Sequence, residues 1–181
     1  MIETYRISCF PDDNASIEIK RQILSFSKHA NCVTPTLNEP CVVVKTDFEI
    51  DSAQITQIEN IIGELAKNIS RFNLNVKKID SYPKREFHYL IESSKELNNI
   101  HKTIISSLLK KMRIHPSAVE GSYFNFTIPM LYGDLDPEDY DKMVLELESF
   151  YPAISFELDN ICIQKKMGKI WKLHKRFDLS L

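Results

Sequence analysis

Two short stretches carry the side chains best suited to chemistry. One is Pro40-Cys41-Val42-Val43-Val44-Lys45-Thr46-Asp47-Phe48, and the other is Tyr123-Phe124-Asn125-Phe126-Thr127-Ile128-Pro129-Met130. In the second, Asn125 and Thr127 stand two residues apart, so on a strand both point to one face. An amide and a hydroxyl there can bond a phosphate or a ribose hydroxyl, whereas asparagine cannot shuttle a proton at neutral pH. The plainer alternative is a solvated strand face. Cys41 brings a thiol that acts as base or nucleophile only if a neighbouring cation or base activates it. Beside three valines it also reads as a small buried hydrophobe. Lys45, two residues after Val43, is a candidate helper for a phosphate.

A third candidate is cationic. Lys165, Lys166, Lys169, Lys172, Lys175 and Arg176 fall within twelve residues that also hold Trp171 and His174 and no acid. A basic hairpin with an aromatic suits RNA phosphates and a stacked base, with Lys172 and His174 as ligand contacts. Lysines also protect sheet edges, and Trp171 has the apolar parity of a core residue. Lys110, Lys111 and Arg113 close a helix, where cations are favoured without any ligand. The acids between Asp134 and Glu148 gather at a helix start for the same electrostatic reason.

The five histidines (His29, His88, His101, His115, His174) show no metal spacing, and the four cysteines (Cys9, Cys32, Cys41, Cys162) include no Cys-x-x-Cys pair. Neither a zinc site nor any other cofactor is expected, and the simplest reading is reduced thiols in a cytoplasm. The N-terminus has no long apolar run, and no stretch approaches the roughly 20 apolar residues of a membrane span. With 181 residues, 43% hydrophobic and 27% charged, the chain supports one buried core or two small lobes sharing one. A net charge of −2 gives no global case for nucleic acid, so such binding must rest on a local patch.

The elements that must position these groups follow from periodicity. Tyr5 to Phe10 alternates as a strand, and Ser16 to His29 carries its apolar residues on one side of a helix. Cys41 to Phe48 is a second strand. Asp51 or Ser52 caps a helix with Ile55, Ile58, Ile62 and Leu65 on one face. Phe72, Leu74 and Val76, then Phe87, Tyr89 and Ile91, alternate as strands, and Ser93 or Ser94 caps the helix that follows. A strand over 122–130 leads to Asp136-Pro137, a cap and first-turn proline. The run Ile154 to Ile163 reads as one strand. The turn at Gly168 returns it into Ile170 to Leu179, with Trp171, Leu173, Phe177 and Leu179 on one parity.

This order, with a polar strand motif second in each half, resembles the two-histidine (2H) phosphoesterases, the 2′-5′ RNA ligase-like family, from about Tyr5 to Leu179. The resemblance implies an α+β fold of two pseudo-symmetric antiparallel-sheet lobes with helices packed outside. It implies a single domain over 1–181, with intertwined lobes and halves of about 1–80 and 81–181. It also implies a cleft in which two His-x-Thr motifs act on 2′,3′-cyclic phosphates or 2′-5′ linkages. At those four positions this chain has Cys41, Val43, Asn125 and Thr127, and only Thr127 agrees. The implied function is a diverged, binding-only member that holds a nucleotide or RNA phosphate through Asn125 and Thr127, with Lys45 and the hairpin cations as helpers. One alternative is an active cyclic phosphodiesterase or RNA-processing enzyme with relocated residues, for which His88 and His174 are the candidates. The other is a protein-interaction scaffold.

Overall fold

Alternating apolar and polar residues build two antiparallel sheets of four strands each. The computed structural model describes residues 1–121 and 124–181. In chain order the elements are β1 (Ile2–Cys9), α1 (Asp13–His29), β2 (Val42–Asp51), α2 (Ile55–Ala66), β3 (Phe72–Tyr82) and β4 (Glu86–Ile91). They continue with α3 (Lys95–Met112), β5 (Thr127–Leu131), α4 (Pro137–Glu148), β6 (Ser155–Leu158), β7 (Asn160–Met167) and β8 (Ile170–Asp178). The first sheet runs β2-β1-β7-β8 and the second β5-β4-β3-β6. The two motif-bearing strands, β2 and β5, are edge strands that meet across the gap between sheets.

Each sheet is backed by helices on its outer face. Phe177 of β8 lies against α2, where a Cβ on Gly63 would come within 3.2 Å of its ring, so glycine sets how closely helix and sheet approach. The Tyr89 hydroxyl donates to Gln22 of α1 at 2.8 Å, and the Tyr140 ring of α4 stacks on Phe87 at 4.6 Å. Helix starts are set by Asp12, Ser94 and Asp136, whose side chains accept from the Ala15, Leu97 and Glu138 backbone N–H groups. Each such cap stabilises by about 1 kcal/mol.

Three expectations are corrected. The strand expected over 122–130 begins only at Thr127, so Asn125 stands just ahead of it; Ser122 and Tyr123 lie outside the described residues. The single strand expected from Ile154 to Ile163 is two strands in different sheets. The buried Asn160 side chain accepts from the Phe10 N–H and donates to the Phe10 carbonyl, both at 2.9 Å, which seats β7 beside β1. The apolar parity had already shifted there, from even positions up to Leu158 to odd ones from Ile161.

The third correction concerns β2. Its pairing with β1 slips twice, so that Tyr5 faces Phe48, Ile7 faces Lys45 and Ser8 faces Val43. Bulges of this kind break period-two alternation. The backbone groups they release are taken by side chains: His101 of α3 donates Nδ1–H to the Val44 carbonyl at 2.7 Å, and Glu120 accepts from the Thr46 N–H at 2.6 Å.

Candidate functional site

The inner faces of the two sheets enclose an open cleft of about 520 Å³. Arg6, Val43, Thr46 and Asp47 line it from the first sheet, and Tyr82, Arg85 and Glu86 from the β3–β4 hairpin. Phe124, Asn125, Thr127 and Pro129 close the remaining side. Phe124 is held by the His101 ring, stacked 4.3 Å away and nearly parallel. The cleft thus brings together three of the four motif positions, Val43, Asn125 and Thr127.

The fourth, Cys41, lies beneath the floor and is 1% exposed. Its thiol donates to Gln164 Oε1 at 3.3 Å and accepts from Arg6 at 3.3 Å. Gln164 Oε1 also accepts from Arg6 Nε and from the Ser8 hydroxyl, both at 2.8 Å. All three partners are donors, which fixes the amide orientation. Gln164 Nε2 is then left buried with no partner among the described residues. Tyr132 closes a small void beside Arg6 and Cys41; burial pushes its phenol up to about 12, against a downward pull from Arg6, so it remains a neutral donor at physiological pH.

Arg6 is the residue that sequence reasoning missed. It is 7% exposed, and its guanidinium lies over the Trp171 ring at 4.3 Å. Among the described residues no carboxylate comes within ion-pair reach of it; its partners are an amide oxygen, a thiol and a π face. A buried cation without a counter-ion is costly to keep and is ordinarily paired. The signal was present in Tyr5-Arg6-Ile7-Ser8-Cys9, where a charge occupies the polar parity of an otherwise buried strand. It takes on meaning once β1 is known to be central, between β2 and β7.

The other expected contacts are elsewhere. Lys45 should share the cleft face with Cys41 and Val43, but the bulge turns it away. It is 1% exposed and its Nζ donates to Glu120 at 2.7 Å. Glu120 also accepts from the backbone N–H groups of Ser117 and Thr46. Burial raises its carboxyl, and these donors more than offset that, leaving it below the usual range.

The basic hairpin is largely neutralised within the fold. Lys165 pairs with Glu3, Lys166 with Asp47, Lys175 with Glu59, and Arg176 with Asp159 and Asp178. His174 bonds Glu59 at 2.8 Å and sits edge-on to Tyr5, on the α2 side of the sheet. Lys172 is exposed on β8 and does not line the cleft. A slip in the β7–β8 register after Ile163 leaves Leu173 half exposed, whereas Phe177 is partly buried and Leu179 buried. His88, by contrast, is buried in the cleft wall, so the two histidines do not converge.

No family model matches the sequence, and no curated protein matches it. Solved structures do. The arrangement of two sheets with helices outside and a cleft between motif-bearing edge strands is the bilobal 2H phosphoesterase fold. Escherichia coli LigT, solved with 3′-AMP, superposes with a TM-score of 0.69 at 12% identity, covering 100% of both chains. A protein described as a phosphoesterase matches at 0.67, 12% identity and 100% of both chains. The Thermus thermophilus protein TT0787 matches at 0.65, 9% identity and 97% of both chains. At these identities the likeness is one of fold.

Proposed function

We propose that the chain binds the phosphate of a nucleotide or of RNA in the inter-sheet cleft, with Arg6 as the anion anchor, and that it lacks paired-histidine acid–base catalysis. The observation that carries this reading is the Arg6 guanidinium, buried on the cleft floor with no carboxylate beside it. Such a cation is stabilised by an anion that enters from the cleft, through charge-assisted hydrogen bonds. Thr127 and Asn125 stand at the same cleft to bond phosphate or ribose oxygens. Arg85 supplies a second positive charge at the rim, and Tyr82, 47% exposed, and Phe124 offer ring faces for a base.

Cleavage of a cyclic phosphodiester needs one group to accept a proton while another donates one on the opposite side. The motif positions hold a thiol beneath the floor, a valine, an amide and a hydroxyl, which do not make such a pair. That LigT has been solved with 3′-AMP, and also with phosphate and ATP, supports a nucleotide as the ligand class. The test is equilibrium binding of 3′-AMP together with hydrolysis of a 2′,3′-cyclic nucleotide. The expected result is saturable binding, weakened about tenfold by Thr127→Ala or Asn125→Ala, without turnover. Turnover that survives Asn125→Ala and is abolished by His88→Gln would overturn the binding-only reading in favour of a relocated catalytic site.

A further inference from the structure

His88 is a buried titratable side chain that the proposed phosphate site does not yet use. It is 3% exposed, and its strand partners place it on the cleft side of the second sheet. In antiparallel register it faces Pro129, and its neighbour Leu90 faces Thr127. Directly opposed residues share a face, and both of these partners line the cleft. Phe87 and Tyr89, on the other parity, pack against α4 and α1.

The ring is poorly satisfied where it lies. Its Nδ1 is buried with no hydrogen-bond partner among the described residues. Glu86 Oε1 is 3.4 Å away, within ion-pair reach but not aligned as a hydrogen bond. Tyr82 covers the imidazole at 5.0 Å between ring centroids. From β3, Asp80 faces His88 in register and is itself paired with Lys78 at 2.8 Å. From β5 the register partner is Pro129, which carries no charge, and Tyr132 beyond it remains a neutral phenol. The other charges lining this cleft are Arg6, Arg85 and Asp47, the last paired with Lys166 at 3.5 Å.

Glu86 is therefore the one carboxylate lining the cleft that no lysine or arginine neutralises among the described residues. While His88 is neutral, that carboxylate opposes an incoming phosphate. A proton on His88 cancels it and adds a donor behind the cleft wall. We propose that His88 and Glu86 form a proton-operated gate on anion binding, so that the cleft takes up a proton together with its phosphodiester ligand. The sign follows from linkage: a ligand that favours the protonated form binds more tightly as pH falls, and once bound it makes that form persist to higher pH.

This inference rests on the phosphate-binding reading, and the experiment separates the two. The probe is the dinucleoside monophosphate ApA, whose single diester charge does not titrate in the range used. Wild-type affinity should rise about tenfold between about pH 8 and about pH 5.5. His88→Gln should flatten that dependence, and Glu86→Gln should bind at the higher pH nearly as tightly as wild type does at the lower. Because a buried histidine is being replaced, the His88 ring protons of the wild-type protein are also followed by NMR. They should report protonation to a higher pH when ApA is bound. A pH profile unchanged in His88→Gln, or a ring titration unmoved by ligand, would overturn the gate. ApA binding that is insensitive to pH overturns the gate alone; no ApA binding at any pH overturns the gate, and absence of 3′-AMP binding as well overturns both readings.

Discussion

Two cations are buried in neighbouring strands of the same sheet, and they have opposite surroundings. Lys45, 1% exposed, is held by Glu120, which also ties down the Thr46 and Ser117 backbone. Arg6, 7% exposed, has no carboxylate in reach among the described residues and looks onto the cleft. The first arrangement is complete without any ligand, because every strong donor around Glu120 meets an acceptor. The second has no internal counter-ion, and on the proposed reading an anionic ligand supplies it. Burial of charge alone therefore does not separate the two cations; the presence of an internal counter-ion does. The hairpin extends the same lesson, since its many cations are mostly matched by acids of the fold.

The largest effect that sharpens this contrast is expected at Lys45. Lys45→Met leaves Glu120 buried without its cation and should cost about 3–5 kcal/mol of stability in denaturant unfolding. Ligand affinity of the remaining folded protein should be unchanged. Arg6→Met should do the reverse. Binding should weaken by about 2 kcal/mol, roughly thirtyfold, while the midpoint of unfolding stays at or above wild type, because an unpaired buried charge has been removed.

A smaller and pH-specific effect follows from Glu120. Its carboxyl lies below the usual range in the fold, so the stability it contributes is present above its unfolded value and is lost as pH falls through the folded one. Wild type should therefore lose stability faster than Glu120→Gln on acidification below about pH 4.5. Denaturation midpoints across an acid series would check this, and parallel slopes would contradict it. The smallest effect is expected on the hairpin. Lys172→Ala should alter nucleotide affinity by less than about twofold, as for an exposed charge remote from the ligand. A larger loss would restore the hairpin as an RNA contact.

Much of the fold was legible because local chemistry and global placement agree. The caps at Ser94 and Asp136-Pro137 fall where their side chains predict, whereas Asp51 caps the short 3-10 turn Ser52–Gln54 ahead of α2, whose own N-cap, Gln54, makes no side-chain bond. The division of the 154–163 run was not read, although a parity shift marked it, because the crossing between sheets depends on Asn160 meeting Phe10 from the far end of the chain. The site was legible in part. Asn125, Thr127 and Val43 meet in one cleft as the strand motifs imply. Lys45 was misplaced because period-two reasoning assumes an unbroken strand, and the β2 bulges depend on His101 and Glu120, which lie far away in sequence. Arg6 was overlooked because a single arginine in a strand has no significance until its neighbours, and the acids absent around it, are known.

On the reading proposed, the Arg6 guanidinium is kept unpaired for an anionic ligand. The most direct test is calorimetric titration of 3′-AMP into wild type and Arg6→Met, with the unfolding midpoint of each measured in the same buffer. Binding should be lost or weakened about thirtyfold while stability is retained. Equal affinity in the two proteins, or an Arg6→Met variant that is markedly less stable with binding intact, would show that the arginine serves the fold and not the cleft.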